Sequence, residues 1–130
     1  MVPAAAPLVG VGMTPRTWEG SGFPDFLGEI GGQVDLLMHA APWSELPTAG
    51  SSLDVVATVA EQQGMGSVVV LGTGDGGGNA LPLDDAGIAA LVDGLRNYLG
   101  RRRPAYLGLA NEVNLVATDD AARFERVVAL

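Results

Sequence analysis

Four short apolar runs recur along the chain, PLVGVGMTP, VDLLMHAAPW, GSVVVLGTG and AYLGLANEVN, each followed by a more amphipathic stretch. Their starts fall roughly 27 to 40 residues apart, the length of one strand, one helix and two loops. That rhythm predicts successive βα units. The runs are nearly continuous Val, Leu, Met and Ala without polar alternation, as in strands covered on both faces, and this predicts a parallel sheet.

The intervening helices are unevenly marked. The clearest begins near Asp84 or Asp85, carries Ile88, Leu91, Val92, Leu95 and Leu99 at helical spacing, and ends in Arg101, Arg102 and Arg103. Cations in a last turn suit the helix dipole, and Pro104 then stops the helix. An earlier helix is predicted from Ser52, as N-cap, through Val55, Val56, Val59 and Ala60 to Gly64 just past its end. The stretch from Phe23 to Ile30 is a weaker helix, with Gly28 inside it, and Asp119 to Leu130 forms a last amphipathic run.

No linker, low-complexity tract or charge run divides the 130 residues, so residues 1–130 are expected to form a single unit. A hydrophobic share of 48% is enough for a core. The absence of cysteine excludes disulfides and thiolate metal sites, and a single histidine, His39, excludes a multi-histidine one. The family resemblance set out below implies neither a metal nor a cofactor. Seven basic against fifteen acidic residues give a net charge of −8, which opposes binding to nucleic acid despite the local RRR. The opening MVPAAAPLVGVG lacks a basic n-region and is broken by Pro3 and Pro7, and no apolar run approaches the roughly 18 residues of a membrane span. The compartment stays open, secretion of a longer parent included.

Two architectures fit four βα units. One is a small open sheet with helices on both faces; the other is the first half of a (β/α)8 barrel, since a complete barrel needs about 250 residues. Gly72, Gly74 and Gly77 satisfy G-x-G-x-x-G after the third strand, the pattern of a dinucleotide-binding turn. In such a turn a helix starts at once. Here Gly78 to Pro82 intervene and Asp75 would repel phosphate, so a plain loop fits better, with a small nucleotide-binding domain as the lesser alternative.

Chemistry-bearing residues gather at the predicted C-terminal strand ends. The second run ends in His39, Trp43 and Glu45, the third near Asp75, and the fourth in Asn111, Glu112 and Asn114. In a barrel these converge on the face where the reaction occurs. An aromatic ring with carboxylates, amides and a histidine suits a sugar, which offers an apolar face and hydroxyl groups. Each residue also has a plain structural role open to it. Trp43 could pack in the core, His39 could be a hydrogen-bonded structural residue, Glu45 could cap or pair, and Asp75 could stabilise a turn. Glu112 resists such an account, because an unpaired carboxylate is costly within a buried strand and two asparagines flank this one.

Asn111-Glu112 after an apolar fourth strand resembles the acid/base signature of the retaining (β/α)8-barrel glycoside hydrolases, the clan of cellulases, mannanases and endo-galactanases. With VGMTPR and LLMHAAPWSEL, the likeness is greatest to endo-β-1,4-galactanase-type barrels. The resemblance implies that Glu112 is the general acid/base, that Asn111 binds the sugar 2-hydroxyl, and that His39 and Trp43 line the subsite at the cleaved bond. Glu45, Asn114 and Asp75 are further candidates for substrate binding. Retaining hydrolysis also needs a nucleophilic carboxylate, which the family carries on strand seven, beyond these four units. The expectation is thus the N-terminal half of a TIM barrel from a truncated product or fragment, inactive alone, with a carbohydrate substrate and self-association through exposed strand edges. A non-catalytic carbohydrate-binding remnant is the alternative.

Overall fold

The structure, a computed structural model, describes residues 6–12, 22–74, 83–111 and 121–129, the side chain of Arg123 excepted. Strands β1 (Gly10–Gly12), β2 (Leu36–Pro42), β3 (Gly66–Gly72) and β4 (Tyr106–Gly108) alternate with helices α1 (Gly22–Ile30), α2 (Ser52–Gln62) and α3 (Asp85–Arg101), and helix α4 (Ala121–Val128) follows. A 3-10 turn, Trp43–Glu45, leads out of β2. All strand pairs are parallel and the sheet order is β1-β2-β3-β4, each strand beside its predecessor with no reversal.

Local chemistry fixes the helix ends. The Asp84 carboxylate accepts from the Gly87 N–H at 2.8 Å and caps α3, whose start was expected near Asp84 or Asp85. The N-cap of α2 is Ser51, one residue before the expected Ser52, and neither serine's side chain caps the helix. Helix α2 stops at Gly64, whose φ of +72° suits a residue without Cβ. There the Met65 N–H bonds Ala60 O and the Gly64 N–H bonds Glu61 O, the paired closing bonds of a Schellman motif.

Helices cover one face of the sheet. Register aligns Val11, Leu37 and Ser67 on that face, and likewise His39, Val69 and Leu107, then Ala41 and Leu71. Leu37 packs with Phe23, Leu27, Val56, Ala60 and Met65 of the helical layer. Ala41, Val69 and Leu71 pack with Trp43, Leu46, Leu53, Leu91, Tyr98 and Val127, so β3 shares its core with α2, α3 and α4. On the opposite face Leu36, Met38, Ala40, Val68, Val70 and Tyr106 alternate with these residues, and none of them is buried. Glycines share that bare face: a Cβ on Gly12 would meet Met38 Cε at 2.6 Å and one on Gly66 would meet Leu36 Cδ2 at 3.0 Å.

The uninterrupted apolar runs pointed to cover on both faces, and among the described residues only one is covered. Apolar composition records that a face avoids water; it does not record what lies over it. Helix α3 also turns a different stripe inward. Leu91, Gly94 and Tyr98 are buried while Leu99 is 45% exposed, because α3 approaches the chain after β2 at Gly94, where an added Cβ would stand 3.1 Å from Leu46 Cβ.

Candidate functional site

The C-terminal edge of the sheet is formed by Pro42 and Gly72, which are register partners, and by Asn111, whose N–H bonds Leu71 O at 2.9 Å. That bond carries the β3–β4 pairing three residues beyond β4. Asn111 is exposed at this edge. Glu112, Asn114 and Asp75, and Gly77 of the glycine pattern, lie outside the described residues.

Trp43 begins the 3-10 turn and is 5% exposed. Its indole lies in the core beneath the edge, and Nε1–H donates to Leu109 O at 2.8 Å. The indole thus ties the end of β2 to the segment that carries Asn111, with its ring surface turned to apolar neighbours.

His39 lies in the middle of β2 on the helix-covered face and is 4% exposed. Its Nε2 is 2.9 Å from Ser52 Oγ. The Ser52 hydroxyl donates to Glu45 Oε2, and the Ser52 backbone N–H bonds the same oxygen at 3.0 Å. Because the single hydroxyl proton goes to the carboxylate, Ser52 Oγ accepts from His39, which fixes the proton on Nε2. The relay runs from histidine through serine to carboxylate, so Ser52 is not activated as a nucleophile by His39. Glu45 serves as the cap of α2, satisfying its first N–H and placing a carboxylate at the positive end of the helix dipole.

The structure therefore joins His39 to Glu45 through Ser52 and brings Trp43 to the segment of Asn111, as two separate contacts. Gly72 ends β3 and Gly74 follows it, whereas α3 starts only at Asp85 with its N-terminus occupied by Asp84.

A different cluster is the most polar feature of the helical layer. Asp54, in the first turn of α2, is 5% exposed and accepts from the Gly50 N–H at 2.8 Å, Arg101 Nε at 3.1 Å and Arg102 Nε at 3.1 Å. Burial pushes its carboxyl up, but hydrogen bonds from Gly50, Arg101 and Arg102, together with the Arg101 charge, outweigh that and hold it below the usual aspartate value. Arg101 also donates to Leu46 O, Thr48 O and Asn97, and Arg102 donates to Thr58 and forms an ion pair with Glu61. Beneath them Tyr98 is fully buried, with the Arg101 guanidinium 5.5 Å from its ring centroid. Burial, and secondarily the charge of Asp54, push its phenol up.

An open pocket of about 510 Å³ lies against this cluster, lined by Gly50, Asp54, Val55, Thr58, Arg101 and Arg102 among others, and by none of the candidate substrate-site residues. Its guanidinium donors already have partners within the chain, so it is a brace between α2, α3 and the loop at 46–50 and not an anion site. Sequence reasoning assigned the arginines to the helix dipole and passed over Asp54. The available signal was an aspartate next to Leu53 and Val56 on the buried side of α2.

Among the described residues no group of three His, Cys, Asp or Glu is arranged to hold a metal ion, and no helix is long and apolar enough to cross a membrane. Fold and site together define an α/β protein with a four-stranded parallel sheet, sequentially ordered and helix-covered on one face. Comparison with protein families, curated proteins and solved structures returns no match.

Proposed function

We propose that this chain is the N-terminal half of a glycosidase-type (β/α)8 barrel, and that the whole cleaves β-linked poly- or oligosaccharide by retaining double displacement with Glu112 as acid/base. The observation that carries the reading is the sheet: four parallel strands in sequential order, helices over one face, and an apolar face left bare. A barrel wall has this asymmetry, its inner face being filled only when eight strands close. A doubly wound nucleotide-binding sheet reverses its strand order and carries helices on both faces. Among the described residues no such reversal occurs, which counts against a ligand crevice of that kind.

The bond from Asn111 to Leu71 supports the site assignment, because it keeps the residue before Glu112 at the C-terminal edge, where barrel enzymes carry out their chemistry. In this reading Asn111 donates to the sugar 2-hydroxyl. Glu112 protonates the glycosidic oxygen as the bond to the anomeric carbon breaks, and then takes a proton from the water that releases the glycosyl-enzyme. The nucleophile stands about 5 to 5.5 Å from the acid/base in retaining enzymes. Glu45, committed to capping α2, does not supply it, so it belongs to the other half of the barrel.

The test is calorimetric titration of the folded chain with β-1,4-linked galacto-, manno- and gluco-oligosaccharides. One class is expected to bind at millimolar strength without product, and Asn111→Ala to weaken it about tenfold, the order of one hydrogen bond to a charged or polarised group. Absence of binding by every class, or tight binding of a dinucleotide abolished by Gly74→Val, would overturn the reading.

A further inference from the structure

We infer that Trp43 is a positioning residue for the sugar contact at the C-terminal edge of the sheet: its indole N–H, bonded to Leu109 O, sets the place and orientation of Asn111. The inference rests on the glycosidase reading above and assigns Trp43 a part in it that touches no sugar.

In the sheet order β3 lies between β2 and β4, so a bond from the end of β2 to the segment after β4 passes a whole strand. Neighbouring strands stand about 4.8 Å apart, and the reach is therefore about 10 Å between strand axes. Tryptophan suits this task, because it carries an N–H at the far end of a long apolar ring and can fill a core while still donating. Trp43 is 5% exposed and belongs to the core cluster of Leu46, Leu71 and Leu91, against which Leu109 and Ala110 also pack. A ring so placed offers no face for a sugar to stack on.

The pairing of β4 with β3 ends at Gly108, and among the described residues no strand flanks β4 on its outer side. Beyond Gly108 two bonds fasten the chain, and they run to different strands. Leu109 O accepts from Trp43 at 2.8 Å, and the Asn111 N–H donates to Leu71 O of β3 at 2.9 Å. The first bond holds the peptide before Ala110 and the second the peptide after it. Either alone would leave the other peptide free to turn; together they fix the backbone that carries the Asn111 side chain. At a binding or catalytic site a displacement of about 1 Å is enough to forfeit most of a group's contribution.

The test is oligosaccharide titration with hydrogen exchange followed by NMR, on the unmodified chain, Trp43→Phe, Asn111→Ala and the double variant. Trp43→Phe keeps an aromatic ring in the core and deletes the donor. It is expected to speed exchange of the Asn111 N–H about fivefold or more and to weaken saccharide binding about tenfold, as Asn111→Ala does. In the double variant the Trp43 change is expected to add less than about twofold, since it acts through Asn111. Asp54→Asn, which lowers stability through the arginine brace, leaves the affinity unchanged. On the unmodified chain, saturating saccharide is expected to slow exchange of the Trp43 indole N–H and the Asn111 N–H by a common factor, a measurement that stands even if Trp43→Phe fails to fold. Unchanged affinity or unchanged Asn111 exchange in Trp43→Phe, full additivity in the double variant, or an indole N–H that saccharide leaves untouched would each overturn the positioning role and spare the glycosidase reading. Absence of saccharide binding by the unmodified chain overturns both, and the tie from Trp43 to Leu109 is then structural only.

Discussion

Replacing Asp54 with Asn keeps the shape of the side chain and removes the charge that holds Arg101 and Arg102 together. Three donors converge on the carboxylate, at 2.8 Å from Gly50 and 3.1 Å from each arginine Nε. Breaking a buried pair by removing one partner costs 3–5 kcal/mol in general, and the arginines here are about a quarter exposed and keep other acceptors, so about 3 kcal/mol is expected. With an unfolding entropy of about 0.27 kcal/mol/K for a chain of this length, that lowers Tm by about 11 °C.

The dependence on pH has a definite sign. The folded carboxyl titrates below its unfolded value, so Asp54 contributes its full stabilisation above about pH 4 and loses it as pH falls through the lower, folded value. The Asn variant lacks this term. Melting of both proteins by circular dichroism between pH 7 and pH 2 is expected to give curves that stay apart at neutral pH and converge in acid. A Tm loss below about 2 °C at pH 7, or curves that run parallel into acid, would refute the account of Asp54 as the anchor of the brace.

Two other substitutions probe single contacts. The Tyr98 hydroxyl is buried without a hydrogen-bond partner among the described residues, so Tyr98→Phe is expected to leave urea stability unchanged or raise it by up to about 1 kcal/mol; a loss above that would mean the hydroxyl is bonded in solution. Ser52→Ala deletes the hydroxyl between His39 and Glu45 while keeping the backbone bond to Glu45, and is expected to cost about 1 kcal/mol and to shift the His39 ring proton signals in NMR; unchanged signals would count against the relay.

The parts of the fold legible in the sequence were those set by neighbours along the chain. Asp84 and Pro104 bracket α3, and Gly64 closes α2, because a cap, a missing N–H and a positive φ act within a few residues. Even there the choice between Ser51 and Ser52 was decided by Glu45, seven residues away. The inward stripe of α3 eluded the pattern because a glycine, Gly94, marks its closest approach, and glycine carries no hydrophobic signal. The Asp54 brace spans 47 and 48 residues, a pairing that composition cannot display. For the candidate site, Asn111 lies at the strand end that the polar turn of YLGLANEVN suggested. His39 and Glu45 drew notice as polar residues near a strand end, but strand alternation turns His39 toward the helices, where Ser52 receives it.

The bond from the Trp43 indole to Leu109 O joins positions 66 residues apart. During synthesis the second strand, its turn and α2 leave the ribosome long before the acceptor exists. Until then the indole N–H remains hydrated, and the C-terminal end of β2 lacks its tie. The arrival of the fourth strand thus withdraws that group from water, which makes the emission colour of Trp43 a built-in signal of the moment at which the nascent sheet is completed.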